Sequence, residues 1–446
     1  MSILSEIFIS EPLLKSRKLI SKLSVSKDLT KYLKTNELFI EYDTDILADT
    51  SILNIPLIAT VLPLAWLTGS DIHVDILDRR FKESMDKLKL SFKQMFPMIP
   101  FTTNIHTEEL VDNRIGAGGA EKTGLLFSGG VDSTYTLLKN LHKKPKLIMM
   151  WGVDNFPYPE HSPHWEMGIK TYTRFSSKKD LDFHLIKTNI SQILDDTRIE
   201  HSFHDELYDG RLRFALQHSL ILLPTAAPLS VGRFKHFLIA ASFLPGINFS
   251  LYPRAALPSL DEMIVWADLT VEHHGFIDRT EKLMGAIVDY LKNDDLTFRV
   301  CVRSELVDGN LNDSMCEKCL RTLVLLVLAS IDPNTCGFTI DESTFSRIRS
   351  YWENKKSITP NFSWRKIQEM IPSDIKYDLY GSKDFFEWFR DYEFVITKKN
   401  WFYTDLYTRL PYRVARQLDK VYRKLNINVH ESPYRRELNE ANAHSN

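Results

Sequence analysis

The 446-residue chain has no apolar run long enough to cross a bilayer. The longest, Leu57 to Leu67 and Leu323 to Ile331, fall short of the roughly 20 residues that a spanning helix needs. The N-terminus, MSILSEIFISEPLLKSRKL, lacks a long apolar core ahead of a small-residue cleavage site, so neither a membrane association nor a secretory signal is expected. Cysteine is scarce. The four present are not spaced as a disulfide framework, which points to a reducing, cytoplasmic setting. An excess of one charge is also missing. With 56 basic and 58 acidic residues the net charge is −2, so nucleic acid is not attracted by the chain as a whole, and any such binding is left to local patches. No Gly-Lys-Ser/Thr follows a glycine-rich turn, so the Walker A fingerprint of the common nucleoside triphosphatases is absent as well.

What is present is a chain too long for one ordinary core, with 43% hydrophobic and 26% charged residues, in keeping with two or three packed globular units. Its most informative stretch is Lys122 to Leu138, KTGLLFSGGVDSTYTLL. A short apolar run (Leu125, Leu126, Phe127) leads into two glycines and then into helical spacing (Val131, Tyr135, Leu138), so strand, tight turn and helix are expected in one unit. Such a turn aims backbone N–H groups beyond itself. Gly129 and Gly130 let a ligand approach the main chain, and the first turn of a helix carries unpaired donors and partial positive charge suited to phosphate. Ser128 and Ser133 add hydroxyls at either end. Asp132 is the odd member. A carboxylate beside phosphates is repulsive unless a cation intervenes, so it points to magnesium or to an orienting role.

At Ser128-Gly129-Gly130-Val131-Asp132-Ser133 the chain resembles the PP-loop ATP pyrophosphatases, whose fingerprint is Ser-Gly-Gly-x-Asp-Ser after the first strand of an α/β sheet. That resemblance implies splitting of ATP between its α and β phosphates, an adenylated intermediate and release of pyrophosphate.

Residues 1–120 read as an N-terminal α/β unit packed on the nucleotide domain. Phe39 to Tyr42 and the alternating Ile72, Val74 and Ile76 mark strands. Pro56 to Trp66 is a buried segment, and Phe81, Met85, Leu88, Phe92 and Met95 form a helix ending before Pro97. Ile115 to Ala120 reads as a flexible joint. Residues 121–335 read as an open, five-stranded parallel sheet of the Rossmann-like kind, with strands at the loop, Lys146 to Val153, Phe183 to Ile186, His236 to Ser242 and Leu296 to Val302. Asp154, at the C-terminal edge of the second strand, is a candidate nucleotide contact, because ligands of open α/β sheets collect there. Residues 336–446 read as helices at Phe345 to Trp352, Trp364 to Met370, Phe385 to Phe389 and Tyr412 to Leu425, with a disordered tail from about residue 431.

A second stretch combines Cys301 with Cys316-Glu-Lys-Cys319-Leu-Arg-Thr. A C-x-x-C at a turn before a helix, with another cysteine upstream, has the ligand spacing of structural zinc. It also sharpens the resemblance. Within the PP-loop group the chain is similar to the 7-cyano-7-deazaguanine synthases, and most closely to the synthase-like proteins of bacterial anti-phage operons (the Qat and CBASS types). Where those enzymes carry a fourth cysteine, this chain has Asp313 followed by Ser314. Zinc would then be held by Cys301, Asp313, Cys316 and Cys319, or with Cys336 as the fourth ligand; alternatively the cysteines are small hydrophobes in a core. Between strand four and the cysteines, Val271 to Gly275 reads as a histidine-glycine step and Arg279-Thr-Glu-Lys282 as a helix start. Lys282 and Arg279 are candidates for neutralising the α-phosphate and pyrophosphate.

The resemblance implies that ATP, with Mg2+, adenylates a 7-deazaguanine carboxylate. The acyl group then passes to ammonia or to an amine on a partner protein of the same operon or on nucleic acid. Competing readings are a tRNA-modifying PP-loop enzyme and a nucleotide-sensing scaffold without turnover. An amidotransferase resembling asparagine synthetase would need a cysteine where Ser2 stands.

Overall fold

The computed structural model describes residues 5–116, 118, 122–153, 162–208, 211–242, 254–301, 310–354, 362–376 and 378–393. Asp154, the helix expected at Tyr412 to Leu425 and the tail beyond residue 431 lie outside them, as do Ala117, Gly119 and Ala120 of the glycine-rich joint. The described residues hold eleven strands: β1 (Glu6–Ile9), β2 (Leu13–Lys15), β3 (Lys18–Val25), β4 (Glu37–Tyr42), β5 (Asp71–Asp78), β6 (Ile105–Val111), β7 (Thr123–Leu126), β8 (Lys146–Trp151), β9 (Phe183–Thr188), β10 (His236–Ala240) and β11 (Thr270–His274). They form one mixed sheet in the order β11-β10-β7-β8-β9-β4-β3-β1-β5-β6, with β2 on β3.

The five strands β7 to β11 are mutually parallel. Counted among themselves they run 3-2-1-4-5, so the chain reverses direction of travel beside β7, and a crevice opens at that strand's C-terminal end. The expected sheet is corrected in two respects. It is not open on the β9 side, because β4 pairs antiparallel with β9 and carries the N-terminal strands into the same sheet. Asn189 and Thr188 lock this junction: the Asn189 carboxamide accepts from Phe39 N (2.8 Å) and donates to Glu37 O (2.9 Å), and Thr188 Oγ1 donates to Phe39 O (2.7 Å). The fifth parallel strand is β11, read from sequence as a histidine-glycine step. Leu296 to Cys301 is extended but unpaired as a strand, its amides reaching instead to Cys336 O and Gly129 O. Both stretches alternate in polarity, and alternation reports a two-sided segment without saying which neighbour supplies its hydrogen bonds.

Successive residues of the central strands enter different apolar layers. Ile148, Met150, Phe237 and Ile239 join one layer with Leu62, Phe81 and Trp266. Leu147, Met149 and Leu238 join another with Val131, Leu323 and Trp364. Both faces are therefore covered, which is why Lys146 to Val153 reads as a nearly continuous apolar run. The first layer includes the helix Ile55–Thr68, which tolerates Pro63 and is buried almost all round. With the preceding turn it forms a helical span, Thr50–Thr68, long and apolar enough to cross a membrane, contrary to the sequence expectation; 94% of it is buried inside the protein. Asn54 joins the two pieces as a turn residue, and Pro56 and Thr60 interrupt the apolar string without interrupting the second helix. The second layer is built partly by the helices Thr344–Asn354, Phe362–Glu369 and Ser382–Arg390, found where the periodicity places them.

On β11, His274 faces the helix after the glycine turn. Asn140 Nδ2 lies 3.1 Å from His274 Nε2 while also donating to Thr136 O, so Nε2 accepts and Nδ1 carries the proton toward Thr136 Oγ1 (3.2 Å). Burial pushes the imidazole pKa down, against a smaller upward pull from Glu272. A depressed histidine pKa means that the unfolded chain takes up its proton first, so this stabilisation is present above about pH 6.5 and is lost as pH falls through the folded value. His274→Gln is expected to flatten the stability profile between about pH 5 and 7 in urea titrations; an unchanged slope would show that the ring is not held neutral.

Candidate active site and metal centre

The helix Val131–Lys139 starts directly after β7 and a four-residue turn, at the sheet edge where the crevice opens. Only Gly129 is demanded by the protein itself. Its φ of +74° is left-handed, and a Cβ there would stand 1.8 Å from the Tyr172 hydroxyl. Gly130, in ordinary extended geometry, begins the helix with no side-chain cap on its first turn. The two serines brace the turn: Ser133 Oγ accepts from Ser128 N (3.3 Å) and lies 3.3 Å from Ser128 Oγ, and it donates to Gly130 O (3.2 Å). Arg299 N donates to Gly129 O (2.8 Å), tying the turn to the segment that carries Cys301.

Asp132 points away from this turn into a charged knot. One carboxylate oxygen accepts from Lys282 Nζ (2.8 Å) and the other from Arg279. Lys282 is 1% exposed and also donates to Ala241 O (2.6 Å) at the end of β10. Burial opposes the charge of Asp132, and Arg279 and Lys282 outweigh it, so its pKa lies below the ordinary carboxylate value. Burial likewise lowers the Lys282 pKa, with Asp132 pulling the other way. Of the two roles expected for Asp132, magnesium contact or orientation of its neighbours, the structure shows both oxygens accepting from the two cations expected at the phosphates. The orienting role is the one the geometry fits.

Around this knot lies a cavity of about 180 Å³. Ser128, Gly130, Val131, Asp132, Ser133 and Arg279 line it, joined by apolar side chains from the ends of β8 and β10. The far wall is the helix Glu317–Leu328, which presents Lys318, Arg321, Thr322 and Leu325. Their i, i+3, i+4, i+7 spacing is a signal available in the sequence that the cysteine motif overshadowed. Among the described residues the acidic and basic side chains lining the cavity are Asp132 against Arg279, Lys318 and Arg321, a surplus of positive charge. Cations sharing a dehydrated cleft repel one another, and an anionic ligand relieves that repulsion.

The cysteines meet at the start of the same helix. Cys316 is its N-cap and Cys319 lies in its first turn. Donor atoms of Cys301, Asp313, Cys316 and Cys319 all lie within 4.8 Å of one another, forming a candidate metal centre. Cys316 Sγ is 3.4 Å from Cys319 Sγ and 3.9 Å from Cys301 Sγ. These bracket the separation of about 3.8 Å expected for two thiolates on a tetrahedral ion with bonds of about 2.3 Å. Three thiols and one carboxylate therefore fit zinc in both donor type and spacing. Asp313 Oδ1 also accepts from the amides of Met315 and Cys316 (2.9 and 2.8 Å), fixing the loop that delivers the thiol. The neighbouring Cys301 and Cys316 thiols, then burial, push the Cys319 pKa upward when no cation is considered. Cys336 is not in this cluster; its thiol lies 3.6 Å from Thr335 Oγ1. Asn312, which sequence reasoning missed, stitches the centre together: its Oδ1 accepts from Val300 N and Cys301 N, and its Nδ2 donates to Phe298 O and Gly337 O.

Compared with models of protein families, with curated proteins and with solved structures, the chain matches none.

Proposed function

We propose that this cleft binds ATP with its β and γ phosphates at the turn Ser128 to Ser133, and that the chain activates a carboxylic acid by adenylation. The observation carrying this reading is that Asp132 draws Arg279 and Lys282 together at an uncapped helix start, beside a cavity whose lining has a surplus of cations. A carboxylate oxygen attacks the α-phosphorus, the bond to the bridging oxygen breaks, and pyrophosphate leaves with the electron pair. Backbone amides of the first helical turn and the two cations hold the charge that develops on the leaving group. Magnesium enters with the nucleotide rather than on Asp132. The acyl-adenylate is then captured by ammonia or an amine, giving an amide and AMP.

The resemblance to 7-cyano-7-deazaguanine synthase-like proteins of anti-phage operons supplies the acid, a 7-deazaguanine carboxylate. It also makes the acceptor an amine on a partner macromolecule or ammonia. The parallel strand order 3-2-1-4-5, with the turn at the end of its central strand, supports a ligand at this turn. Zinc at Cys301, Asp313, Cys316 and Cys319 would cross-link the segment behind Gly129 to the helix Glu317–Leu328 and so fix the width of the cleft. Incubation with ATP, magnesium, 7-carboxy-7-deazaguanine and ammonium is expected to yield AMP and pyrophosphate in equal amounts. ADP and phosphate as the only products would overturn the reading.

A further inference from the structure

Arg321 stands on the cavity wall facing the turn and is 13% exposed. Its Nη2 donates to Glu317 Oε2 (2.9 Å) and its Nε lies 2.8 Å from Glu317 Oε1, an ion pair one helical turn apart. Glu317 is itself held from the other side. Trp364, fully buried in the C-terminal helix Phe362–Glu369, donates its indole N–H to Glu317 Oε1 at 3.1 Å. The same helix places Ile367 in the cavity lining, and its Lys366 pairs with Asp278 and Glu281 around the Arg279–Lys282 turn. A guanidinium carries two forks. Glu317 occupies the Nε–Nη2 edge, and the Nη1–Nη2 edge has no protein acceptor among the described residues. Arg279 and Lys282, by contrast, are both committed to Asp132 beside the turn.

We propose that Arg321 grips the carboxylate of the substrate acid through its second fork, with Glu317 and Trp364 as positioning residues that hold the plane of the guanidinium. This rests on the adenylation reading of the cleft and deepens it: the phosphates and the acid are held by separate cations. Both acid oxygens meet the fork through one lone pair each, leaving a second lone pair on the attacking oxygen to form the bond to the α-phosphorus. Pyrophosphate departs with the bridging electron pair and no proton moves in this step. A lysine in place of Arg321 would keep the charge and lose the two-point geometry.

The test is calorimetric titration of the protein saturated with magnesium and an α,β-methylene analogue of ATP, using 7-carboxy-7-deazaguanine and its uncharged 7-carboxamide. The acid is expected to bind the native chain at least about tenfold more tightly than the amide. Arg321→Ala should weaken acid binding by about 30-fold, as loss of a charged two-point contact does, and weaken binding of the nucleotide analogue by less than about threefold. Arg321→Lys, which keeps the charge beside Glu317 should the alanine variant fail to fold, should lose most of the preference for acid over amide. Trp364→Phe should raise KM for the acid about fivefold at unchanged kcat and unchanged nucleotide affinity, a split that mere loosening of the core would not give. If nucleotide binds normally and the Arg321 variants keep the native preference, or if the native chain shows none, the inference fails alone. If the native chain does not bind the nucleotide analogue, the reading of the turn fails and takes the inference with it.

Discussion

Asp132→Ala is expected to abolish pyrophosphate release, by about a thousandfold, and to destabilise the protein as well. The carboxylate organises two cations, so its loss removes the charge pattern that stabilises a departing pyrophosphate rather than a single contact. It also leaves Lys282, 1% exposed, with Ala241 O as its remaining hydrogen-bond acceptor among the described residues. An ammonium stranded in this way costs about 3 kcal/mol or more. Lys282→Met removes the stranded charge at its source, so the double variant Asp132→Ala/Lys282→Met should recover much of the lost stability and none of the activity. Urea midpoints and AMP formation measured across the four proteins separate the two roles. Normal turnover in well-folded Asp132→Ala protein would remove this cluster from the chemistry. The same pair sets an acid limit. Because the Asp132 pKa is lowered in the folded state, its stabilising contribution is present above about pH 4 and is lost as pH falls through the folded value.

Protein purified without added zinc should contain about one metal ion per chain, and Cys319→Ser should reduce that to near zero while lowering the thermal midpoint. The cysteine is buried at the start of the helix that forms the far wall of the cleft, so losing the ion unpins Lys318 and Arg321 along with it. Asp313→Cys converts three thiolates and a carboxylate into four thiolates and should tighten zinc by tenfold or more, measured by competition with a chromophoric chelator. Elemental analysis giving a ratio near zero for a normally folded native chain would dispose of the metal.

The features legible from sequence were those whose parts are neighbours along the chain. The strand, glycine turn and helix around Ser128 to Ser133 fall within one stretch, and the start of the helix at Cys316 is marked by its own spacing. Asp313 could be paired with the cysteines because it lies only three residues from Cys316 and takes that residue's amide. Local backbone chemistry decides such features before any core forms.

What only the tertiary structure decided are the meetings between distant segments. Asp132 and Lys282 are 150 residues apart, and no periodicity announces that their side chains meet. Trp364 reaches Glu317 across 47 residues and brings the helix Phe362–Glu369 to the cleft, where Ile367 lines it. Choosing Thr270–His274 over Leu296 to Cys301 as the fifth strand, and extending the sheet through β4, depended on which backbone edges were left to pair once the central strands were in place. Residue patterns state what a segment can bury on each face, while the partner it finds is set by the collective packing of the whole chain.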